Sequence, residues 1–305
     1  MARRKGKDVD GILLLDKPLG ISSNRALQKI RYLFNAKKAG HTGNLDPLAT
    51  GVLPICFGQA SKVTAFLLDA NKRYTCTAQL GATTTTGDKE GEVLQTREIP
   101  TLSEQQILAV LDQFKGEIQQ IPPMHSALKH NGQPLYKLAR KGIEVKRKAR
   151  TIKILELNLI EHKNNRITLD VLCSKGTYIR TLAQDIGEQL GCGAHLSQLR
   201  RTEVEPFDCT KLYTIEEIEL LLLEHSENTL LNTLLPIDSA LIKHPRMTLS
   251  DDETKRIQNG LKVARKDIPD ASMIRLYQKN GVFLGIGRLA SDHQLAAKRL
   301  MNTGH

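Results

Sequence analysis

The stretch Gly40–Gly51, reading GHTGNLDPLATG, constrains the chain more than any other. Glycine admits backbone turns that other residues resist. Pro47 fixes its own φ and biases Asp46 towards extended geometry. The segment therefore predicts a stiff, Gly-rich loop that presents a single carboxylate. His41 is the only other acid or base in it. A carboxylate held this way can serve as nucleophile, base or electrostatic stabiliser. On local physics alone, a plain Asp-Pro turn is the simpler reading.

The surrounding pattern predicts an α+β chain with no strict βαβ order. Gly11 to Leu15 is a short apolar run ending in Asp16-Lys17-Pro18, a buried strand entering a turn. Ser22-Ser23 caps a helix whose apolar face is Ala26, Leu27, Ile30, Leu33 and Phe34. A strand is expected over 52–57 and a helix from Ala60 to Leu68. Residues 73–80 place Tyr74, Cys76, Ala78 and Leu80 on one side of a strand. Ser103 with Gln106 forms a capping box for a helix through Phe114. The proline-rich 121–134 reads as a loop. Residues 151–160 and 166–173 read as paired strands. Ile179, Leu182, Ile186 and Leu190 mark a helix, and 214–224 another. Past Leu235-Pro236 the runs 274–278 and 282–286 suggest a small β-rich appendage. The loose glycine pair Gly191-Cys192-Gly193 follows a helix rather than a strand, so it carries no dinucleotide signature.

Composition narrows the partners. The 305 residues hold 44 Lys and Arg against 33 Asp and Glu, a formal charge of +11. Such an excess attracts polyanions, nucleic acid first and anionic membrane second. Cys56, Cys76, Cys173, Cys192 and Cys209 are scattered and never form a C-x-x-C pair. That argues against a disulfide framework and a zinc site, and it suits a reducing cytoplasm. The charged start, Met1 to Asp10, with its Arg3-Arg4 pair, precedes an apolar run too short for a signal peptide. The leucine-rich 218–223 is far below membrane-spanning length. Neither export nor membrane insertion is expected.

The loop resembles the catalytic loop of the TruB family of pseudouridine synthases, written GHTGxLDPxATG, and every specified position matches. Other motifs follow in order. Asp16-Lys17-Pro18-Leu19-Gly20 with Ser22-Ser23 is similar to the family's DKPxGxxS opening. Phe57-Gly58-Gln59-Ala60-Ser61-Lys62 resembles its xGxATK turn, and Lys72-Arg73-Tyr74 its KxY strand. Gly176-Thr177-Tyr178-Ile179-Arg180-Thr181-Leu182 resembles GTYIRxL, and Leu199-Arg200-Arg201-Thr202 resembles LRRT. The likeness runs from about Gly11 to about Ala240. The remainder resembles a PUA domain, a small β-barrel that holds RNA ends.

The resemblance implies a catalytic domain over 1–236 with a mixed, mainly antiparallel central sheet. It implies a PUA-like domain over 237–305. It implies an isomerase that cuts the C1′–N1 bond of a tRNA T-loop uridine, at position 55, and rejoins C1′ to C5 without cofactor or metal. Asp46 is then the catalyst and Arg180 its ion-pair partner. Read without the family, Arg180 is a surface arginine at a helix start, facing the unfavourable dipole end. Tyr74 is expected to stack on the base and to take the C5 proton, the alternative being a ring buried in the core. Tyr178 should line the same pocket. His41 should brace the space that a flipped base leaves. Leu199 should close the pocket, and Lys17 should support the floor or a nearby phosphate.

Between Lys137 and Lys153 stand eight Lys and Arg residues and one acid, Glu144. Such a run is usually a solvated face. Its position matches a basic insertion, about 121–153, that the family lays on the RNA T-arm, with Lys146, Arg147 and Lys148 on the backbone. Two departures stand out. Thr85 occupies a place where Asp is frequent, and Asn44 one where small residues are frequent. The alternatives are a relative that works within a guide-RNA particle and an RNA-binding or RNA-folding protein without catalysis. The family suggests a stand-alone monomer.

Overall fold

The computed structural model describes residues 6–207, 211–224, 227–265, 273–290 and 293–302. Cys209 and Arg3-Arg4 lie outside them. The first strand, β1 (Gly11–Lys17), is buried almost throughout. Helix α1 (Ser23–Leu33) follows, with the Ser22 hydroxyl accepting from the Arg25 amide as its N-cap. Strands β2 (Ala39–His41) and β3 (Ala49–Phe57) flank the Gly-rich segment. Both ends of the expected loop are therefore strand, because Gly40 pairs with Cys56 and His41 with Ile55.

After β3, a 3-10 turn (Gly58–Lys62) runs into the short α2 (Thr64–Asp69), so the expected single helix is broken. Strand β4 (Lys72–Leu80) alternates buried and half-buried residues as its period-2 pattern requires. A hairpin of β5 (Ala82–Thr84) and β6 (Val93–Thr96) leads to α3 (Glu104–Asp112), which has the capping box of Ser103 and Gln106. Strand β7 (Gly116–Gln120) precedes the proline-rich region. That region is not wholly loop. It holds a two-residue ladder, β8 (Lys129–His130) with β9 (Gln133–Pro134), and a one-turn helix α4 (Leu135–Ala139) follows it. Strands β10 (Arg150–Lys163) and β11 (Arg166–Cys173) form a hairpin. Asn164 and Asn165 both take positive φ at its tip, 50° and 59°, the geometry of a tight two-residue turn. Helix α5 (Ile179–Gln189) closes on Gly191 and Gly193 and hands the chain to β12 (Ala194–Val204).

Among the described residues these strands form one eight-stranded sheet, ordered β1-β3-β12-β4-β11-β10-β7, with β2 on β3. The sheet is mixed. Strand β12 runs parallel to β3 and antiparallel to β4, and the other pairs are antiparallel. The sequence pattern gave no sign of β12. Its alternation is broken by irregularities at Leu196/Gln198 and Arg201/Glu203, so its apolar residues do not recur every second position. At Gly51 (φ +100°) a Cβ would overlap the Arg201 carbonyl oxygen, so glycine is what lets β3 and β12 approach.

Helices α6 (Ile215–Glu224) and α7 (Glu227–Leu231) cover the β1 side of the main core, α6 against α1 and β1. Beyond them β13 (Arg246–Thr248), α8 (Asp251–Gln258), β14 (Val263–Ala264), β15 (Met273–Tyr277), β16 (Phe283–Leu289) and β17 (Gln294–Leu300) build a second, five-stranded sheet with its own core. Ile12, Leu14, Cys56 and Phe207 of the first part pack with Leu241, Ile286 and Met301. Among the described residues, no helix is long and apolar enough to cross a membrane.

Candidate active site

Residues 42–48 cross from β2 to β3, and nearly every turn of that path is pinned. The buried Ser23 hydroxyl donates to the Leu45 carbonyl (2.9 Å) and accepts from the Leu45 amide (2.7 Å). The Gly20 amide donates to the Pro47 carbonyl, and the Ala49 amide to that of Asp46. Arg201 Nη2 donates to the Gly43 carbonyl at 3.3 Å. The side chains of Leu45 and Leu48 point into the core. The Asp46 carboxylate is left accessible over 41% of its side chain, between the exposed Asn44 and Pro47. A solvated Asp-Pro turn needs none of these clamps.

Arg180 holds the carboxylate. It stands on the first turn of α5 with only 6% of its side chain exposed, so it is not a surface arginine. Its Nε lies 3.0 Å from Asp46 Oδ2, and its Nη1 lies 3.4 Å from Asp88 Oδ2. Nη1 also donates to the Thr86 carbonyl (2.8 Å) and Nη2 to the His125 carbonyl (2.7 Å). One guanidinium thus ties the Gly-rich loop, the β5–β6 hairpin and the proline-rich segment. Crowding by protein atoms raises the Asp46 pKa above the ordinary carboxylate value. Arg180 opposes that rise, Asp88 adds to it, and Lys17 opposes it more weakly.

The other expected residues gather here. Tyr74, on β4, is 9% exposed and belongs to the core cluster, yet its phenol is close enough to Asp46 to feel its charge. Burial raises its pKa, and Arg201 counters. Tyr178 precedes α5, clamped by Gln120, which accepts from its amide (2.8 Å) and donates to its carbonyl (3.1 Å). Burial raises its phenol's pKa too. Leu199 is 9% exposed on β12, level with Ala49 and Cys76. Lys17 is fully buried and donates to the carbonyls of Pro18 and Ile21, both at 2.8 Å. Its ammonium is thus held by backbone carbonyls rather than presented to solvent. Desolvation lowers its pKa to about 8. His41 is half-buried at the loop entrance, its Nδ1 without a hydrogen-bond partner, and burial lowers its pKa.

The three basic residues expected on the RNA backbone, Lys146, Arg147 and Lys148, do not meet the others at Asp46. Lys146 and Lys148 are exposed and line a separate cavity of about 320 Å³ with Lys129, His130 and Arg150. Arg147 differs from its neighbours, because its guanidinium donates to the Val145 and Pro122 carbonyls and pairs with Glu144. A larger cavity, about 440 Å³, lies between α2 and the second sheet. Among the described residues no three His, Cys, Asp or Glu side chains gather as metal ligands would.

Comparison with known proteins agrees along the chain. Residues 31–179 match the TruB family pseudouridylate synthase N-terminal domain. Residues 180–242 match the tRNA pseudouridylate synthase B C-terminal domain, and 245–301 the pseudouridine synthase II TruB C-terminal model. A tRNA pseudouridine synthase B of Pseudomonas fluorescens is 52% identical over 99% of this chain and 98% of its own. One from Mannheimia succiniciproducens is 48% identical over 98% of each. The chain belongs to the TruB family of pseudouridylate synthases. A crystal structure of a Cbf5–Nop10–Gar1 complex matches with a TM-score of 0.71 at 27% identity, covering 93% of this chain and 79% of that one. An archaeal box H/ACA Nop10–Cbf5 complex, 24% identical with a TM-score of 0.71 over 96% and 86%, shares the fold.

Two residues of this TruB-family site escaped the reading of the sequence. Asp88 is buried and shares Arg180 with Asp46. It closes the very run in which Thr85 departs from the family, so the departure drew notice and the acid beside it did not. The Thr85 hydroxyl accepts from the Glu92 amide at 3.1 Å, so the hairpin keeps a polar contact there. Arg201 is 1% exposed beneath the loop and was read only as part of a motif. An arginine in an LRRT run carries no sign of burial on its own.

Proposed function

We propose that this chain isomerises a uridine in the T-loop of tRNA, the one at position 55, with Asp46 as nucleophile. The feature that supports this reading best is one carboxylate on a clamped loop, braced by a buried arginine and left open on one side. Burial would otherwise neutralise it, and Arg180 holds the ionised form that attack requires. The reaction cuts C1′–N1, turns the uracil and joins C1′ to C5. No electron is transferred and no group enters or leaves, so its balance needs no cofactor.

Tyr74 stacks on the turned base and takes the C5 proton, Tyr178 and Leu199 line the pocket, and His41 fills the stack the uridine has left. The exposed Lys146 and Lys148 contact T-arm phosphates, and Arg147 shapes their loop. The C-terminal unit is a PUA-like RNA-binding domain. The enzyme works as a cytoplasmic monomer without a guide RNA. Tritium release from C5-labelled tRNA, with purified protein and no added guide, tests the whole reading. Asp46→Asn should bind tRNA and release nothing, and persistent release by that variant would refute the role of Asp46.

A further inference from the structure

Arg201 is an unusual cation. With Lys17 it is among the largest side chains in the molecule that are wholly buried. Buried charges are ordinarily paired, because leaving water is costly. Among the described residues, no carboxylate is ion-paired with Arg201. Its Nε donates to the Val52 carbonyl at 2.7 Å and its Nη2 to the Gly43 carbonyl at 3.3 Å. The Tyr74 phenol lies within reach of its charge, which lowers the phenol's pKa against the effect of burial. The pairing is built into the sheet. Arg201 of β12 is the direct cross-strand partner of Tyr74 on β4 and of Gly51 on β3. Directly opposed residues of an antiparallel pair project to the same face.

We propose that Arg201 is a positioning residue that holds the Tyr74 phenol and offsets the charge of its phenolate during the proton transfers of the isomerisation. The proposal rests on the reading that Tyr74 takes the C5 proton. A neutral phenol cannot accept a proton, so it must first give one up. The uracil leaves C1′ as an anion, and the product carries a proton on N1. The phenol gives its proton to that nitrogen. Once C1′–C5 has formed, the phenolate takes the proton from C5. One proton leaves the phenol and one returns, and Tyr74 ends as it began. Between the two steps an anion sits on a buried oxygen, and Arg201 is the buried cation without a carboxylate that faces it. Two backbone carbonyls aim the guanidinium, so little reorganisation is needed when the charge appears.

The test compares Arg201→Lys with Arg201→Met in single-turnover assays on tRNA carrying uridine or 5-deuterouridine at the target. Arg201→Met should lose roughly 10²-fold in rate, the scale of a general acid-base contribution. It should acquire a primary isotope effect larger than that of the parent enzyme, because C5–H cleavage becomes limiting. Its rate should climb further with pH than the parent's, since phenolate formation is unassisted. Arg201→Lys, which keeps the cation, should recover most of the rate. Equal losses in both variants, without a change in isotope effect or pH profile, would overturn the proposal and leave Arg201 a packing residue. Thermal unfolding and tRNA affinity of both variants identify a misfolded protein. If only Arg201→Met misfolds, Arg201→Gln takes its place as the variant without the cation, and a parental isotope effect and pH profile there also overturn the proposal. Tyr74→Phe, run in parallel, tests the underlying reading separately: turnover near the parent's there would remove Tyr74 from the proton transfers however Arg201 behaves.

Discussion

The floor around Asp46 and the segment 121–153 both concentrate charge, and they hold it on different terms. At the floor, Arg180, Asp88, Lys17 and Arg201 are buried, and carbonyls or opposite charges fix their directions. In the insertion, Lys146 and Lys148 are exposed. The low dielectric of the floor makes each charge strong and each displacement costly. Water and salt screen the insertion, so its charges act together and weakly one by one. Fixed charge suits bond-making at one atom, and screened charge suits a polyanion that must arrive and leave. Arg147 marks the border, since it lies in the basic run but is bound to carbonyls as floor residues are.

The sharpest way to break the contrast is at the carboxylate. Asp46→Asn should lower turnover by roughly 10⁴-fold or more, as when a group acting on the reacting atoms is removed. Its tRNA affinity, read by filter binding, should stay near the parent's. Next comes Arg180→Met. It strips a buried cation from Asp88 and should cost about 3–5 kcal/mol in urea unfolding, besides abolishing turnover. Adding Asp88→Leu should recover much of that stability and none of the activity, because an apolar pair of similar volume replaces a buried ion pair at little cost.

A smaller effect is expected from Lys17→Met. Lys17 lowers the Asp46 pKa, so its loss lets Asp46 keep its proton to higher pH, and the acid limb of kcat/KM should move upward. The stability profile should change as well. The Lys17 pKa is depressed from 10.5 to about 8 in the folded chain. The folded state therefore binds fewer protons between those values, and stability rises with pH across that window. In the variant this slope should disappear.

In the insertion, Lys146→Ala with Lys148→Ala should flatten the salt dependence of tRNA binding by roughly two units of slope, nearly one per phosphate lost. The loss should fall on KM rather than kcat. An unchanged slope would remove both lysines from the RNA interface. Thr85→Asp should be the mildest, within about 0.5 kcal/mol of the parent in stability, since Glu92's amide still finds an oxygen there.

Where residues a few positions apart repeat a physical pattern, the sequence is readable. The α1 cap at Ser22, the capping box of Ser103 and Gln106 and the alternation of β4 follow local rules, and local rules leave local traces. The Gly-rich segment with its one acid is legible for the same reason. The two-residue ladder β8–β9 and the irregular strand β12 are not, because pairing and bulges are settled between strands rather than along one.

The sequence by itself determined that a stiff loop would present Asp46, that the chain would be basic and α+β, and which family it resembles. Only the tertiary structure decided which charges share that loop. Arg180 joins Asp46 to Asp88 across 134 and 92 residues of chain, and Arg201 meets Tyr74 because two distant strands fall into register. Burial, and with it the direction of every pKa shift in the site, is a property of what surrounds a group in space. No spacing along the chain encodes it.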